Sequence, residues 1–137
     1  MRAVVDTGVL VSALIRRQGT TGDVLRALRD GRFTVIYSTD TLVEVINVLG
    51  RAPFRTKYHI EPDDITALIN LIRLRGELVT PRRKVTVCRK HKDDKFLELA
   101  VSGAADYIIT GDKDLLQLRA FRGVPIVTAD GFLRRQS

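Results

Sequence analysis

Tryptophan is absent from this 137-residue chain, which also has a single cysteine, a single methionine and only two histidines. Cys88 cannot form an internal disulfide, so a disulfide-built secreted scaffold is excluded and a reducing, cytoplasmic setting is expected. No stretch approaches the roughly 18 consecutive apolar residues of a membrane-spanning helix, and no membrane association is expected. The opening Met1-Arg2-Ala3-Val4-Val5-Asp6 meets an acid before any apolar signal region forms, which argues against a secretory leader. His59 and His91 lack the spacing of paired metal ligands and read as surface residues. Acid is missing altogether between Arg82 and Lys92, a stretch of eleven residues that holds six cations.

Over the whole chain 23 Lys and Arg face 16 Asp and Glu, a net charge of +7 on a 45% hydrophobic composition. That apolar fraction excludes a disordered polycation, and the length fits one compact domain over residues 1–137. The excess charge is concentrated. Arg82, Arg83, Lys84, Arg89, Lys90 and Lys92 carry nearly all of it, while the rest of the chain is close to balanced. A basic stretch of this kind raises the expectation of a nucleic-acid partner.

Short, continuously apolar runs recur at Ala3-Val4-Val5, Phe33 to Tyr37, Tyr107-Ile108-Ile109 and Val124 to Val127. Runs without alternation predict strands buried on both faces. Between them Leu42, Val45, Ile46 and Leu49, then Ile65, Leu68, Ile69 and Ile72, then Leu97, Ala100, Val101 and Ala104 follow the helical period. Thr39 or Asp40 is positioned to cap the first of these helices, Glu61-Pro62-Asp63 opens the second, and Gly76 and Gly103 fall near helix ends. Strands alternating with helices predict an α/β fold, a three-layer α/β/α sandwich around a central parallel sheet of about five strands. Pro81 to Lys92 has no clear period and reads as a surface loop or an edge strand.

In an open parallel sheet, ligands bind outside the carboxyl ends of the strands. The acids collect there. Asp6 follows Val4-Val5, Asp112 follows Ile109 by three residues, Asp93-Asp94 opens the helix before the Ile108-Ile109 strand, and Glu44 lies near the apolar border of its helix. Singly, each has a structural explanation as a helix cap, a turn residue or a solvated side chain. Together, converging on one crevice, they would repel one another without a cation. Hard oxygen donors without a usable histidine or thiolate match Mg²⁺ or Mn²⁺. Such an ion neutralises a phosphodiester and makes a bound water more nucleophilic, while basic side chains outside the acids hold the backbone.

Four segments then carry a family resemblance: Val4-Val5-Asp6-Thr7-Gly8-Val9-Leu10-Val11-Ser12-Ala13-Leu14, Glu44 in Thr41-Leu42-Val43-Glu44-Val45, Asp93-Asp94-Lys95-Phe96-Leu97-Glu98-Leu99-Ala100, and Ala105-Asp106-Tyr107-Ile108-Ile109-Thr110-Gly111-Asp112-Lys113-Asp114-Leu115-Leu116. In order, over residue 3 to about residue 130, the chain resembles the PIN domain, and more narrowly the prokaryotic branch of toxins from toxin–antitoxin systems. The resemblance implies an endonuclease acting on single-stranded RNA with Mg²⁺ or Mn²⁺, a small antitoxin protein as partner and a homodimer. Asp6, Glu44, Asp94 and Asp112 match its catalytic acids, with Asp6, Asp94 and Asp112 on the metal. The choice of Asp94 over Asp93 rests on register against Lys95-Phe96-Leu97, and Asp93 is kept as a secondary polar residue together with Thr7, Ser12 and Asp114. The family commonly has Asn where this chain has Gly8, so a side-chain amide beside the first acid is missing.

For RNA contact, Arg16 and Arg17 in the loop after the Asp6 motif join Arg82, Arg83, Lys84, Arg89, Lys90 and Lys92. Phe54, Tyr58 and Phe121 are able to stack on bases, although packing explains aromatic residues in such numbers equally well. Asp6-Thr7-Gly8 also occurs in aspartic proteases, but those are all-β proteins and the helical periods here exclude them. Gly8 removes the second acid that a haloacid-dehalogenase phosphatase needs. The remaining alternative is a non-catalytic PIN-like module that binds RNA or a protein, against which the acid quartet argues.

Overall fold

The computed structural model describes residues 1–82 and 93–136. Arg83, Lys84, Arg89, Lys90 and Lys92, with Cys88 and His91, lie outside the described residues. So does most of the stretch that reads as a loop or edge strand.

The four apolar runs form four strands: β1 (Arg2–Val5), β2 (Thr34–Tyr37), β4 (Tyr107–Ile109) and β6 (Val124–Val127). With two more, β3 (Gly76–Leu78) and β5 (Ala120–Phe121), the described residues form a six-stranded sheet of order β3-β2-β1-β4-β6-β5. The first five strands in that order are parallel, and β5 alone runs antiparallel, against β6. The β5–β6 connection is the two-residue turn Arg122-Gly123, with φ of 48° and 82°. Two successive positive φ values give the twist that suits a tight hairpin, and glycine supplies the second without strain.

Among the described residues eight helices cover the sheet: α1 (Thr7–Ile15), α2 (Thr20–Arg29), α3 (Thr39–Leu49), α4 (Ala52–Tyr58), α5 (Pro62–Arg75), α6 (Asp94–Ser102), α7 (Lys113–Leu116) and α8 (Ala129–Gln136). Side chains alternate along the strands, so two cores form. Ala3, Val5, Val35, Ile109 and Val127 face a layer built from α1, α2, α3, α5 and α8, while Val4, Ile36, Ile108 and Ile126 face α6 and α7. Phe132 of α8 fills the first core beside Phe33 and Tyr107, with ring centroids 5.0 and 5.8 Å away.

Local details depart from the sequence expectation. Neither Thr39 nor Asp40 caps α3. Ser38 does, its hydroxyl accepting from Thr41 N at 3.1 Å while Thr41 Oγ1 accepts from Ser38 N at 2.9 Å, a capping box using Thr in place of Glu. The α3 face turned to the core is Thr41, Val45 and Leu49, and Ile46 is exposed. Ala104 falls beyond α6 in a left-handed conformation, and Phe96 and Leu99 join Leu97 and Ala100 in the core instead. The strand β3 follows α5 with no intervening loop. A Cβ at Gly76 would lie 2.3 Å from Ile72 O and 2.8 Å from Val35 Cγ1, so only glycine permits this direct junction.

The chain builds one half of the sheet outward from β1 through β2 to β3, then returns to the other side of β1 with β4 and β6. Connections therefore diverge between the carboxyl ends of β1 and β4. That is where a crevice must open.

Candidate active site

Asp6 stands at the carboxyl end of β1. Its N–H donates to Ile109 O of β4 at 2.9 Å, which holds it against the neighbouring strand as the chain turns into α1. As the cap of α1 it accepts from Gly8 N through Oδ1 at 2.8 Å. Its other oxygen, Oδ2, accepts from Thr110 Oγ1 at 2.5 Å. Thr110 is wholly buried one residue past β4, and its hydroxyl in turn accepts from Asp112 N at 3.0 Å. Asp112 caps α7, with Oδ1 accepting from Asp114 N at 2.8 Å. One buried hydroxyl thus ties together the acid after β1 and the acid after β4.

These residues open onto a cleft of about 490 Å³ whose walls include Asp6, Glu44, Asp93 and Asp112. Four acids from distant parts of the sequence meet there. Glu44 reaches it from the second turn of α3, and Asp93 from the cap position of α6. Register in the sequence favours Asp94 for the third position; the cleft is lined instead by Asp93, while Asp94 is the buried first residue of α6 and is not part of the wall. Helix periodicity accounts for the difference. Asp93 precedes the first helical residue, whereas Asp94, three residues before Leu97, falls on the face of α6 that Leu97 carries into the core.

Thr7 and Ser12 also line the cleft. The Thr7 hydroxyl is buried and makes no hydrogen bond among the described residues, leaving an open oxygen next to Asp6. Ser12 Oγ accepts from Thr21 Oγ1 at 3.2 Å and so joins α1 to α2 along one wall. Asp114 contributes its amide to Asp112 and does not line the cleft.

Lys95 borders the cleft through its contact with Glu44, a neighbour that the sequence pattern does not reveal. Its ammonium forms an ion pair with Glu44 Oε2, an oxygen that accepts no well-directed hydrogen bond, so the contact is one of charge. Burial pulls the Lys95 pKa below the usual lysine value, and the negative charges of Asp6 and Asp40 pull it back up. Thr110 is equally hard to single out from the pattern. Both sit beside the acid motifs, Lys95 directly after Asp93-Asp94 and Thr110 in Thr110-Gly111-Asp112.

The basic candidates fall elsewhere. Arg17 donates to Asp64 Oδ1 at 3.0 Å and lines a separate cavity of about 210 Å³ with Arg26 and Arg29. Arg16 is exposed on the same loop. Arg82 donates its backbone N–H to Ser102 Oγ at 3.1 Å, at the end of α6 remote from Asp93.

The donor set is composed of hard oxygens, and the buried, open Thr7 hydroxyl adds another; in kind these residues fit a hard divalent cation. Among the described residues no three acids, histidines or cysteines already stand at ligand spacing.

A parallel α/β sandwich with an acid-lined crevice at its switch point defines the class of the protein. A PIN domain family model matches residues 2–114, and the chain belongs to that family. It is 31% identical over 119 residues to the uncharacterized protein MJ1680 of Methanocaldococcus jannaschii, covering 87% of this chain and 76% of that one. Its fold is similar to the crystal structure of PAE2754 from Pyrobaculum aerophilum, with a TM-score of 0.63 and 14% identity over 99% of this chain and 89% of the other. It is also similar to a chain in the crystal structure of VapBC2 from Rickettsia felis bound to a DNA fragment from their promoter, with a TM-score of 0.59 and 12% identity over 93% and 98% of the two chains.

Proposed function

We propose that the protein is an endoribonuclease that hydrolyses single-stranded RNA with Mg²⁺ or Mn²⁺ and serves as the toxin of a toxin–antitoxin pair. The observation that carries this reading is the meeting of Asp6, Glu44, Asp93 and Asp112 in one cleft of a chain whose net charge is +7. Membership of the PIN domain family supports it, and the likeness to a VapBC2 chain supports the toxin role and a small antitoxin protein as partner.

Asp6, Asp93 and Asp112 are the residues that would hold the ion, with Asp93 in the place that register alone gives to Asp94. A bound divalent ion supplies charge neutralisation for the phosphate and a more acidic water. Thr110 keeps Asp6 and Asp112 in a fixed relation by donating to one and accepting from the amide of the other. Both oxygens of Asp6 are oriented by donors, so the carboxylate does not rotate to follow substrate. Glu44 positions the attacking water and takes up its proton as the water oxygen bonds to phosphorus; the bond to the leaving oxygen breaks, and that oxygen regains a proton from solvent. Lys95 holds Glu44 at the wall and offsets part of the negative charge that would otherwise repel an RNA phosphate.

The test is incubation of the purified protein with single-stranded RNA, with Mn²⁺ and with EDTA, beside Asp6→Asn. Cleavage by the wild type that needs the ion and is lost in the variant is the expected result. RNA retained equally by both proteins in EDTA, without cleavage in Mn²⁺, would establish a binding module instead.

A further inference from the structure

The helix α4 buries none of its residues, yet it carries two aromatic rings. Phe54 is half-buried and packs on the edge of the main core, whereas Tyr58 is 37% exposed. Their ring centroids lie 4.9 Å apart, and Lys57 Nζ lies 5.3 Å from the centre of the Tyr58 ring. With Arg51 and Pro53 these side chains surround a shallow hollow of about 440 Å³. Arg51, Arg55 and Lys57 are unaccompanied by any acid between residues 51 and 60, and neither Arg51 nor Lys57 forms an ion pair among the described residues. Phe54 ties the helix to the core, which leaves the more exposed Tyr58 ring turned to the surface. Flanked by cations without acid partners, that ring has the composition of a stacking platform.

Its position connects it to the acidic cleft. Glu44 and Val48 of α3 line the cleft on successive turns, and Arg51, whose N–H approaches Val48 O at 3.5 Å, begins the hollow. Seven residues of helical rise separate Glu44 from Arg51 by about 10 Å, roughly three stacked nucleotides at about 3.4 Å each.

We propose that α4 is a nucleobase-binding platform for the single-stranded RNA whose phosphate lies in the acidic cleft, with one base stacked on Tyr58 and the adjoining phosphates held by Arg51 and Lys57. This rests on the ribonuclease reading for the identity of the strand. Stacking on a ring is indifferent to sequence, so the platform sets how much strand must extend beyond the cut rather than which bases are cut.

Binding of a fluorescein-labelled, twelve-nucleotide single-stranded RNA in EDTA tests it apart from cleavage. Tyr58→Leu should weaken binding by between about five- and one hundred and fifty-fold, the range that one stacked base contributes, while Tyr58→Phe stays near wild type. A series of RNAs with a single abasic position should show one position whose loss weakens the wild type but not Tyr58→Leu. Arg51→Ala with Lys57→Ala should flatten the salt dependence by about 1.4 units of slope, two contacts on a single strand. Unchanged affinity in Tyr58→Leu with an unchanged melting curve, or a change in self-association with none in RNA binding, would overturn the platform. If RNA binds at Tyr58 and no cleavage occurs in Mn²⁺, the ribonuclease reading fails and the platform stands. If Tyr58→Leu cleaves RNA with a wild-type KM, the platform fails and the ribonuclease reading stands.

Discussion

The ammonium of Lys95 rests against the carboxylate of Glu44 at the acid-lined cleft, two residues past the cap residue Asp93. A fixed cation thus stands beside the acids assigned to a mobile one. Glu44 is held by charge from α6, and α3 and α6, which lie on opposite faces of the sheet, meet over its edge.

If Lys95 and a divalent ion compensate the same acids, Lys95→Met should destabilise the metal-free protein by about 1 kcal/mol, the cost of unpairing a carboxylate that is only partly desolvated. Mn²⁺ should then raise the melting temperature of the variant more than that of the wild type. Equal metal-induced shifts in the two proteins would show that the ammonium and the ion do not compete.

Thr110→Val keeps the shape of the buried side chain and removes its hydroxyl. Asp6 Oδ2 loses its donor and Asp112 N its acceptor, both in a partly buried setting. Groups that orient metal ligands typically contribute 10- to 100-fold to affinity or activity, and a loss of about that size is expected in Mn²⁺ affinity and in RNA cleavage. Thr110→Ser should recover most of it, and equal behaviour of the Val and Ser variants would count against the hydroxyl bridge.

Gly8 is open to a side chain. A Cβ there would meet only Asp6 Oδ1, at an ordinary contact distance of 3.6 Å, and the backbone is helical. Gly8→Asn should therefore fold with unchanged or slightly higher stability. It should also tighten Mn²⁺ binding by placing an amide beside Asp6, which a calorimetric titration of both proteins would detect.

Asp64 closes the first turn of α5, accepting from Glu61 N at 2.8 Å and from the Arg17 guanidinium at 3.0 Å. The backbone hydrogen bond from Glu61 and then the Arg17 contact hold its pKa below the usual carboxylate value. A depressed folded pKa gives stability that is present above the unfolded value near 3.8 and lost as pH falls through the lower, folded value. Asp64→Ala should thus lower stability at neutral pH by under about 1 kcal/mol, since the pair is partly solvated, and flatten the acid limb of a denaturation series. An unchanged limb would remove Asp64 from the acid response.

The strands of the sheet interior are legible in the sequence because burial on both faces leaves unbroken apolar runs. β3 and β5 are not: three residues following a helix without a break, and two residues before a tight turn, are too short to show a pattern. The acids are legible as a group, since each closes or caps an element and the topology brings those ends together. Which of Asp93 and Asp94 faces the cleft depends on a single step of helical rotation, set by where α6 begins. Lys95 is invisible for a different reason. A lysine on a helix reads as solvated until the helix across the sheet edge is known to present a glutamate to it.

The shortness of β3 and β5 also bears on how copies of the chain meet. Among the described residues, one flank of the sheet ends in two antiparallel residues, and the other in three that carry Glu77 and Leu78 outward. Neither of these strands is long enough to template another, so growth of an open-ended ribbon by strand addition finds no foothold on them.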